Sequence, residues 1–203
     1  MSVADSYFEG MFQADADPWS MRTRWYEQRK RQLTLACLPK RQYQSVLELG
    51  CANGELSAKL AERSGQLLCC DTSATALELA QAQLQHRGNV QFWQGRLPKQ
   101  WPPGKFDLIV FSELGYYLDS HDLTQLIFSM RYALAPGGTV LACHWRPTID
   151  GCPHTGDQVH HELHHLLRMP RLVWHQEADL LLEVWCEDAT SVAEHEGLTR
   201  RET

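Results

Sequence analysis

Two carboxylates stand at the ends of neighbouring apolar runs, at a spacing suited to nucleoside binding. Residues 45–49 form the first run, which contains Glu48 and leads into Gly50. Residues 66–70 form the second run, which leads into Asp71, 21 residues after Gly50. An acidic residue about 20 residues beyond such a glycine accepts hydrogen bonds from ribose hydroxyls. The pattern therefore predicts a site for a nucleoside-containing ligand; the alternative is an ordinary turn with two solvated strand ends.

The glycine-containing turn after the first run narrows the ligand class. Gly50 permits a tight bend, and Gly54 lets the next helix pack closely. Ala52 occupies the place of the middle glycine of the dinucleotide fingerprint, where bare backbone approaches a pyrophosphate. A sulfonium nucleoside such as S-adenosylmethionine has no phosphate and tolerates a small side chain there. We therefore expect S-adenosylmethionine, with S-adenosylhomocysteine as product, and keep a nicotinamide-dependent oxidoreductase as an alternative.

Apolar runs of strand length alternate with segments of helical periodicity, which is typical of a mainly parallel sheet covered on both faces. The predicted strands are residues 45–49, 66–70, 90–94, 106–112, 139–144, 171–175 and 180–186. Helices are predicted at 55–63, from Thr75 with Glu78 in a capping box, at 123–134 before the stop signal 136–138, and at 157–167. The expected fold class is α/β, a Rossmann-like, doubly wound, mostly parallel seven-stranded sheet with an antiparallel C-terminal hairpin and an N-terminal helical segment.

Length and composition favour one domain over residues 1–203, because a second domain has little room beside such a sheet. Within it we expect an N-terminal helical lid at 1–40, a cofactor-binding core at 45–145, and an acceptor-side cap with the terminal hairpin at 146–188. A formal net charge of −6 argues against nucleic acid as a partner. No run approaches the length of a membrane span and no signal peptide is recognisable, so a cytoplasmic protein is expected. Seven cysteines without a Cys-x-x-Cys pair agree with a reducing compartment.

The segment from Glu48 to Gly54 resembles the first motif of the class I, seven-stranded S-adenosylmethionine-dependent methyltransferases. Asp71 corresponds to the ribose carboxylate of that superfamily, and residues 134–138 are similar to its turn before the fifth strand. Arg96 stands where many relatives place an aspartate for the adenine amino group, and it carries donors only. The adenine contact is therefore left to backbone groups, to apolar side chains or to a stacked guanidinium. The resemblance implies a cofactor site formed by Glu48, Gly50, Cys51, Ala52, Gly54, Asp71, Thr72, Arg96, Leu97 and Ser112.

Four further segments are similar to the NodS nodulation N-methyltransferases, namely residues 17–19, 25–39, 113–118 and 144–145. This resemblance implies methylation of the free amine of a deacetylated glucosamine at the end of a chitin oligosaccharide. Other sugars or small amines remain open as acceptors, because the acceptor changes more readily than the fold.

Methyl transfer from a sulfonium requires alignment of a neutral nucleophile more than acid or base catalysis. An amine must nevertheless lose a proton, and a carboxylate or imidazole can accept it. Glu113 is the candidate to attract a cationic amine and His144 is a possible base, so both are predicted catalytic residues. Glu113, Tyr116, Tyr117, Trp145 and His154 are the predicted acceptor contacts, and each also admits a purely structural role.

The N-terminal residues 6–38 carry clustered aromatic and cationic side chains. The aromatic residues are consistent with a lid over the cofactor, and equally with ordinary packing of a helix on the sheet. Trp19 and Arg29 are the predicted ligand contacts of this segment. Its other cations, which include Lys30 and Arg31, are expected on a solvated helix face.

Residues 161–165 fit the H-E-x-x-H pattern, in which two histidines one helical turn apart bind zinc. A zinc metallohydrolase that uses His161, Glu162 and His165 is therefore a further alternative. The preferred interpretation has no metal and places this segment in an acceptor-side cap, with His154, Asp157 or His161 touching sugar hydroxyls. The polar tail at 189–203 shows no clear periodicity and is left unassigned.

Overall fold

The computed structural model describes residues 1–199 and contains one seven-stranded sheet, with the strands in the order β3-β2-β1-β4-β5-β7-β6. Its strands are β1 (Tyr43–Leu49), β2 (Ser64–Asp71), β3 (Val90–Gln94), β4 (Phe106–Ser112), β5 (Leu134–Trp145), β6 (Arg171–Gln176) and β7 (Leu180–Cys186). The first five strands run parallel, and β7 pairs antiparallel with both β5 and β6. The predicted α/β fold with its antiparallel C-terminal hairpin is confirmed.

Seven helices accompany the sheet in the part of the chain that the structure covers. They are α1 (Asp5–Ala14), α2 (Trp25–Cys37), α3 (Ser57–Leu60), α4 (Ala74–Leu84), α5 (Ser120–Ala133), α6 (Gly156–Leu167) and α7 (Val192–His195). The last of these lies in the tail that sequence reasoning left unassigned, and residues 200–203 of that tail lie outside the described residues. Between residues 1 and 199, no helix is both long and apolar enough to cross a membrane.

Alternating apolar residues of the central strands supply two cores, one on each face of the sheet. Leu47, Ile109 and Phe111 face the core that α5 and α6 cover. Val46 and Val110 face the other core, which is covered by α2, α3 and α4. Because both faces of the sheet are covered here, β1 and β4 are buried and mainly apolar at residues 46–49 and 108–111, as central parallel strands require.

Three local expectations need correction. The segment predicted as one helix at 55–63 is helical only at Ser57–Leu60 and continues as a 3₁₀ turn at Ala61–Arg63. The N-cap of α4 is Ser73, whose side chain accepts from the Ala76 N–H, so Thr75 and Glu78 form no capping box there. Strand β5 begins at Leu134 and passes through the predicted stop signal, with a register shift against β4 and a φ of +71° at Gly137. Glycine accommodates this irregularity without ending the strand.

Strand order fixes where a site can form. From β1 the chain adds β2 and β3 toward one edge of the sheet, and then β4 and β5 on the other side of β1. The connections after β1 and after β4 therefore run in opposite directions. Ligands of open α/β sheets bind at such a switch point, outside the carboxyl ends of the strands. The carboxyl ends here are Leu49, Asp71, Ser112 and Trp145.

Candidate functional site

A cavity of about 460 Å³ opens at these strand ends and is covered by residues of α1 and α2. Its size falls within the range of about 300–1,000 Å³ that is usual for small-molecule sites. Seven carboxylate residues and four cationic residues line it, together with aromatic and aliphatic side chains. The carboxylates are Asp5, Glu27, Glu48, Glu55, Asp71, Glu113 and Asp122, and the cations are Arg24, Lys30, Arg31 and Arg96. The surplus of carboxylates suits a cationic ligand.

The turn after β1 is held against the end of β2 by backbone and side-chain bonds. The N–H groups of Gly50 and Cys51 both donate to the Cys70 carbonyl, at 2.8 and 2.9 Å. One oxygen of Asp71 accepts from the Ala52 N–H at 2.9 Å, and the other accepts from the Ser73 N–H at 2.9 Å. Burial raises the pKa of Asp71, while these N–H groups oppose the shift. Asp71 is thereby fixed in place, with its partly exposed side chain at the cavity wall.

Positive φ angles in this turn explain its small residues. Gly50 has a φ of +72° and Gly54 a φ of +86°. A Cβ at Gly54 would lie 3.1 Å from the backbone of Ala80, so glycine permits close packing on α4. Ala52 adopts a φ of +52°, a left-handed conformation that non-glycine residues rarely occupy. Gly54 itself does not line the cavity.

Glu48 is the more deeply buried of the two predicted nucleoside-site carboxylates. It is 3% exposed and accepts a hydrogen bond of 2.5 Å from the Ser57 hydroxyl. Burial raises the pKa of Glu48 to about 7, with a smaller contribution from the charge of Asp71. Its carboxyl therefore changes charge near neutral pH, and a nearby cation would favour the ionised form.

A second group of charges lies on the β4 side of the cavity. The Lys30 ammonium contacts Glu113 at 2.7 Å and Glu27 at 2.8 Å. Burial acts to lower the pKa of Lys30, but the two carboxylates outweigh it and raise that pKa above its ordinary value. We call Glu27, Lys30 and Glu113 the acceptor-side cluster. It contains two carboxylates and one cation.

Glu113 is held in this cluster from three sides. Besides Lys30, its carboxylate accepts from the Tyr116 hydroxyl at 2.6 Å and from the Trp145 N–H at 3.0 Å. The Glu113 backbone has a φ of +55°, which is an unfavourable conformation for a side chain with a Cβ. Burial and the neighbouring charge of Glu113 raise the pKa of Tyr116, so this hydroxyl stays a donor.

Helix α1 covers the cavity on the side away from the strand ends. The Glu9 carboxylate accepts from the hydroxyls of Ser73 and Thr75 at 2.7 and 2.6 Å, which ties α1 to the start of α4. These bonds lower the pKa of Glu9 to about 2. Asp5 forms an ion pair of 3.4 Å with the predicted adenine-edge residue Arg96. On the opposite side the Val3 N–H donates to the Tyr117 carbonyl at 2.8 Å.

Most of the predicted site residues meet at this cavity. Those that line it are Trp19, Glu48, Gly50, Cys51, Ala52, Asp71, Thr72, Arg96, Leu97, Ser112, Glu113, Tyr116, Tyr117 and Trp145. Arg29 does not reach it, because its guanidinium forms a bidentate ion pair with Glu177 at 2.6 and 2.7 Å. His154 faces the Ser120 hydroxyl instead, at 3.3 Å.

The predicted base His144 is fully buried and lies outside the cavity lining. Its Nε2 accepts from the Gly115 N–H at 3.1 Å, and its Nδ1 faces the Nε2 of His160 at 3.1 Å. Both ring nitrogens are therefore occupied within the protein. Asp157, considered for sugar contact, is bound by Arg146 at 2.8 and 3.0 Å.

The H-E-x-x-H pattern does not form a metal centre. His161 and His165 are exposed on α6, and no group of three or more potential ligands is assembled anywhere in residues 1–199. Zinc sites need three or four converging protein ligands. The zinc metallohydrolase interpretation is therefore not supported.

Sequence reasoning considered the aromatic residues of this segment as a lid, but it missed the polar side chains that α2 contributes to the cavity. Tyr26, Glu27, Lys30, Arg31 and Thr34 all line it, whereas the cations of the segment other than Arg29 were expected on a solvated face. Lys30 is 8% exposed and Thr34 is 1% exposed. The signal was available in their spacing, because polar residues at positions 27, 30, 31 and 34 share one face of a helix. A polar face is buried only where it meets other polar groups or a ligand.

Comparison with known proteins agrees with the geometry of the turn. A family model described as a methyltransferase domain matches residues 46–138. This range contains the carboxyl end of β1, the turn after it, Asp71 and the end of β4, which are the parts of the cavity expected to hold the cofactor.

Solved structures extend the similarity over most of the chain. A candidate methyltransferase from Pseudomonas syringae is 53% identical, with a TM-score of 0.73, and the match covers 80% of this chain and 99% of that one. The N-methyltransferase NodS from Bradyrhizobium japonicum, solved with S-adenosylhomocysteine, is 25% identical with a TM-score of 0.78. That match covers 90% of this chain and 97% of NodS.

Curated relatives share a shorter segment. Trans-aconitate 2-methyltransferase from Deinococcus radiodurans is 34% identical over 105 residues, which is 52% of this chain and 39% of that protein. The match spans about half the length of the next two curated relatives. The matched family model, the fold and the similarity to the Pseudomonas syringae protein together show that this chain belongs to the class I S-adenosylmethionine-dependent methyltransferases and resembles NodS.

Proposed function

We propose that this protein N-methylates a small amine, such as the free amino group of a deacetylated chitin-oligosaccharide terminus, with S-adenosylmethionine as the methyl donor. The observation that carries the proposal is the acceptor-side cluster. Two carboxylates surround one ammonium at the end of β4, in the same cavity as Asp71. The net charge of the cluster is negative, which attracts a protonated amine and disfavours an anionic acceptor.

The cavity residues fit a sulfonium nucleoside laid across the strand ends. Asp71 would accept the ribose hydroxyls, and the β3 end with Leu97 would border the adenine. The methionine portion would then lie near Glu48 and Gly50, and its sulfonium would face the β4 end. When bound, this group supplies a methyl already activated by the positive sulfur. The orientation leaves the space between Ser112 and Trp145 for an acceptor.

Aromatic side chains supply apolar walls on that side. The rings of Tyr26 and Trp145 contact edge to face, with centroids 5.3 Å apart. The Tyr26 hydroxyl is buried and has no hydrogen-bond partner among the described residues, and Tyr26 lines the cavity. A buried polar group without a partner is unfavourable, so a ligand hydroxyl bound there would restore a hydrogen bond. This arrangement suits a sugar, which presents both apolar faces and hydroxyls.

The reaction needs a neutral amine in line with the methyl carbon. The nitrogen lone pair would form the new C–N bond while the bond between the methyl carbon and sulfur breaks. The electron pair of the broken bond would stay on sulfur, which leaves as a neutral thioether. Glu113 would orient the amine through hydrogen bonding and stabilise the positive charge that appears on nitrogen. The cluster would also receive or relay the proton that the amine releases. Tyr116 and the Trp145 N–H fix the carboxylate for this role.

Three acceptors test the proposal: a glucosamine oligomer with a free terminal amine, its N-acetylated counterpart, and trans-aconitate. We expect methylation of the first alone, measured by S-adenosylhomocysteine formation and mass spectrometry of the product. Glu113→Gln should lower kcat/KM for the amine by about 100-fold, in the range of general acid–base and positioning effects. The affinity for S-adenosylhomocysteine should change little.

Glu62→Gln is the matched control, because Glu62 is a surface carboxylate that pairs with Lys59 and Arg87 away from the cavity. This variant should retain the wild-type rate. Methylation of trans-aconitate without methylation of any amine would overturn the proposal, as would unchanged kinetics of Glu113→Gln.

A further inference from the structure

A continuous chain of polar side chains lies beneath the turn that carries Glu113 and Tyr116. The Gly115 N–H donates to His144 Nε2 at 3.1 Å, and His144 Nδ1 faces His160 Nε2 at 3.1 Å. His160 Nδ1 contacts Glu183 Oε2 at 2.7 Å, and Arg171 binds the other oxygen of Glu183 at 2.5 Å. The chain thus joins β5, α6, β7 and β6 to the loop after β4.

The side chains of this hydrogen-bonded chain are almost completely buried. His144 is 0% exposed, and His160 and Glu183 are each 2% exposed. Burying polar and charged groups carries a large desolvation penalty, which their hydrogen bonds offset only when every partner is present. Apolar residues of similar size would fill the same space without that penalty. A fully connected buried network, by contrast, fixes one arrangement of the elements that it joins.

The protonation states follow from the bonds. Because Gly115 donates to Nε2 of His144, that nitrogen carries no proton, and the neutral ring has its proton on Nδ1. His144 therefore donates to His160 Nε2, and His160 donates from Nδ1 to the Glu183 carboxylate. A second proton on His144 would set its Nε2–H against the Gly115 N–H. Burial, with the neighbouring His160 and Lys30, lowers the pKa of His144 well below its ordinary value, which agrees with a neutral ring.

The chain begins at the N–H of Gly115, a residue that is closely confined. A Cβ at this position would lie 2.4 Å from the Val159 side chain and 2.9 Å from Phe111. The same loop begins at Glu113, whose backbone is held in its left-handed conformation. The hydrogen bond from the Gly115 N–H to His144 therefore helps to hold a tightly packed loop. Such contacts are needed to keep Glu113 in its unfavourable backbone conformation.

We propose that His144, His160 and Glu183 are positioning residues for methyl transfer, which hold the 113–118 loop so that Glu113 and Tyr116 face the acceptor. The inference rests on the proposed role of Glu113 at the acceptor side. None of the three residues lines the cavity, so each acts through the loop.

His160→Gln and His160→Leu test the inference. Glutamine keeps an acceptor for His144 and a donor for Glu183, whereas leucine keeps bulk but breaks the chain. His165→Gln and His165→Leu are the matched controls, because His165 is another histidine of α6 and is exposed. The assay uses whichever of the three acceptors above gives the highest turnover, and hydrogen–deuterium exchange of residues 113–118 is measured without any acceptor.

We expect His160→Leu to lower kcat by about 10- to 100-fold, the scale expected for small misplacements of reacting groups. Exchange in the 113–118 loop should rise, while S-adenosylhomocysteine affinity should stay within about 2-fold because the Asp71 side is untouched. His160→Gln should recover kcat to within about 3-fold of wild type. Both His165 variants should behave as wild type.

Unchanged loop exchange in a folded His160→Leu protein would overturn the inference, whatever the acceptor proves to be. Equal losses of kcat in His160→Gln and His160→Leu would also overturn it, because a merely space-filling role predicts no rescue by glutamine. If Glu113→Gln is fully active, the proposed acceptor role of Glu113 fails, and the exchange result still decides whether the buried chain holds the loop.

Discussion

The ionisation of Glu48 in the cavity links the stability of the fold to pH. Glu48 has a pKa of about 7, raised from an ordinary value of 4.5. Between these two values the folded protein binds the Glu48 proton more tightly than the unfolded chain does. Stability is therefore present at low pH and is lost as the pH rises through that window.

Glu48→Gln removes this ionisation and keeps an acceptor for the Ser57 hydroxyl. The variant should be close to wild type in stability at pH 5 and more stable than wild type by about 2–3 kcal/mol at pH 8, in the absence of ligand. Denaturant unfolding at both pH values measures the difference. An equal effect of the substitution at pH 5 and pH 8 would contradict a raised pKa, and Glu62→Gln provides the exposed control.

The proposed contact of Asp71 with the ribose can be tested against a matched carboxylate. Asp107, at the opposite ends of the strands, also accepts hydrogen bonds from two backbone N–H groups. Asp107 accepts from the N–H groups of Gln44 and Ser45 at 2.8 and 2.9 Å, much as Asp71 accepts from those of Ala52 and Ser73. Asp71→Asn should weaken S-adenosylhomocysteine binding by about 10-fold or more, since hydrogen bonds to a charged group contribute about 1.5–3 kcal/mol.

Asp107→Asn should lose stability without losing affinity, because Asp107 lies at the amino end of β4, far from the strand ends that form the cavity. Calorimetric titration of both variants gives the comparison. Equal loss of affinity in the two variants would mean that Asp71 acts only on the backbone and that its carboxylate contacts no ribose.

Among the elements, α1 depends on a few polar contacts for its position over the cavity. Glu9→Ala removes the bonds to Ser73 and Thr75 and should free α1 from the start of α4. Hydrogen–deuterium exchange over residues 5–14 should rise, and S-adenosylhomocysteine affinity should fall by about 3- to 10-fold.

Glu78→Ala is the control for Glu9→Ala, because Glu78 is an exposed carboxylate on α4, the helix to which Glu9 ties α1. In this variant the exchange of residues 5–14 and the S-adenosylhomocysteine affinity should match those of wild type. If Glu9→Ala leaves both quantities unchanged, α1 is held by its apolar contacts, such as the edge-to-face contact of Phe8 with Tyr117 at 4.9 Å.

Element types were predictable where one periodicity dominated. All seven strands lie where apolar runs indicated, and α5 and α6 match their helical pattern. The predicted element boundaries were wrong where one local sequence signal is compatible with two structures. Pro136, Gly137 and Gly138 are compatible with a turn and with a bulge inside a strand, because both use glycine at positive φ. Only pairing with β4 and β7 selects the bulge.

At the scale of the whole molecule, the residues at the ends of β1 and β2 could be placed together from sequence, and those around Glu113 only in part. Glu48 and Asp71 lie at the carboxyl ends of the adjacent strands β1 and β2, and Gly50 follows β1, so local patterns place them together. The acceptor-side cluster unites α2 with the end of β4, and Lys30 and Glu113 are 83 residues apart in sequence. No local pattern reports such a pairing, which arises only when α2 packs over the sheet.

Ligand binding should stabilise the whole molecule, because the cavity exists only in the folded state. S-adenosylhomocysteine at about 100 times its Kd should add about 2.7 kcal/mol. For a chain of this length that corresponds to a Tm rise of roughly 5–10 °C. NAD and zinc should give no comparable rise, and Asp71→Asn should reduce the response. A large shift with NAD and none with S-adenosylhomocysteine would contradict the assignment of the cofactor.

The left-handed backbone at Glu113 is retained because fold and site both need its side chain. Glycine at this position would relieve a backbone penalty of about 1 kcal/mol. The same replacement would delete the carboxylate that Lys30, Tyr116 and the Trp145 N–H converge upon, and removing one partner of a buried ion pair costs about 3–5 kcal/mol. Selection for thermal stability alone should therefore reject glycine at residue 113, just as selection for turnover should.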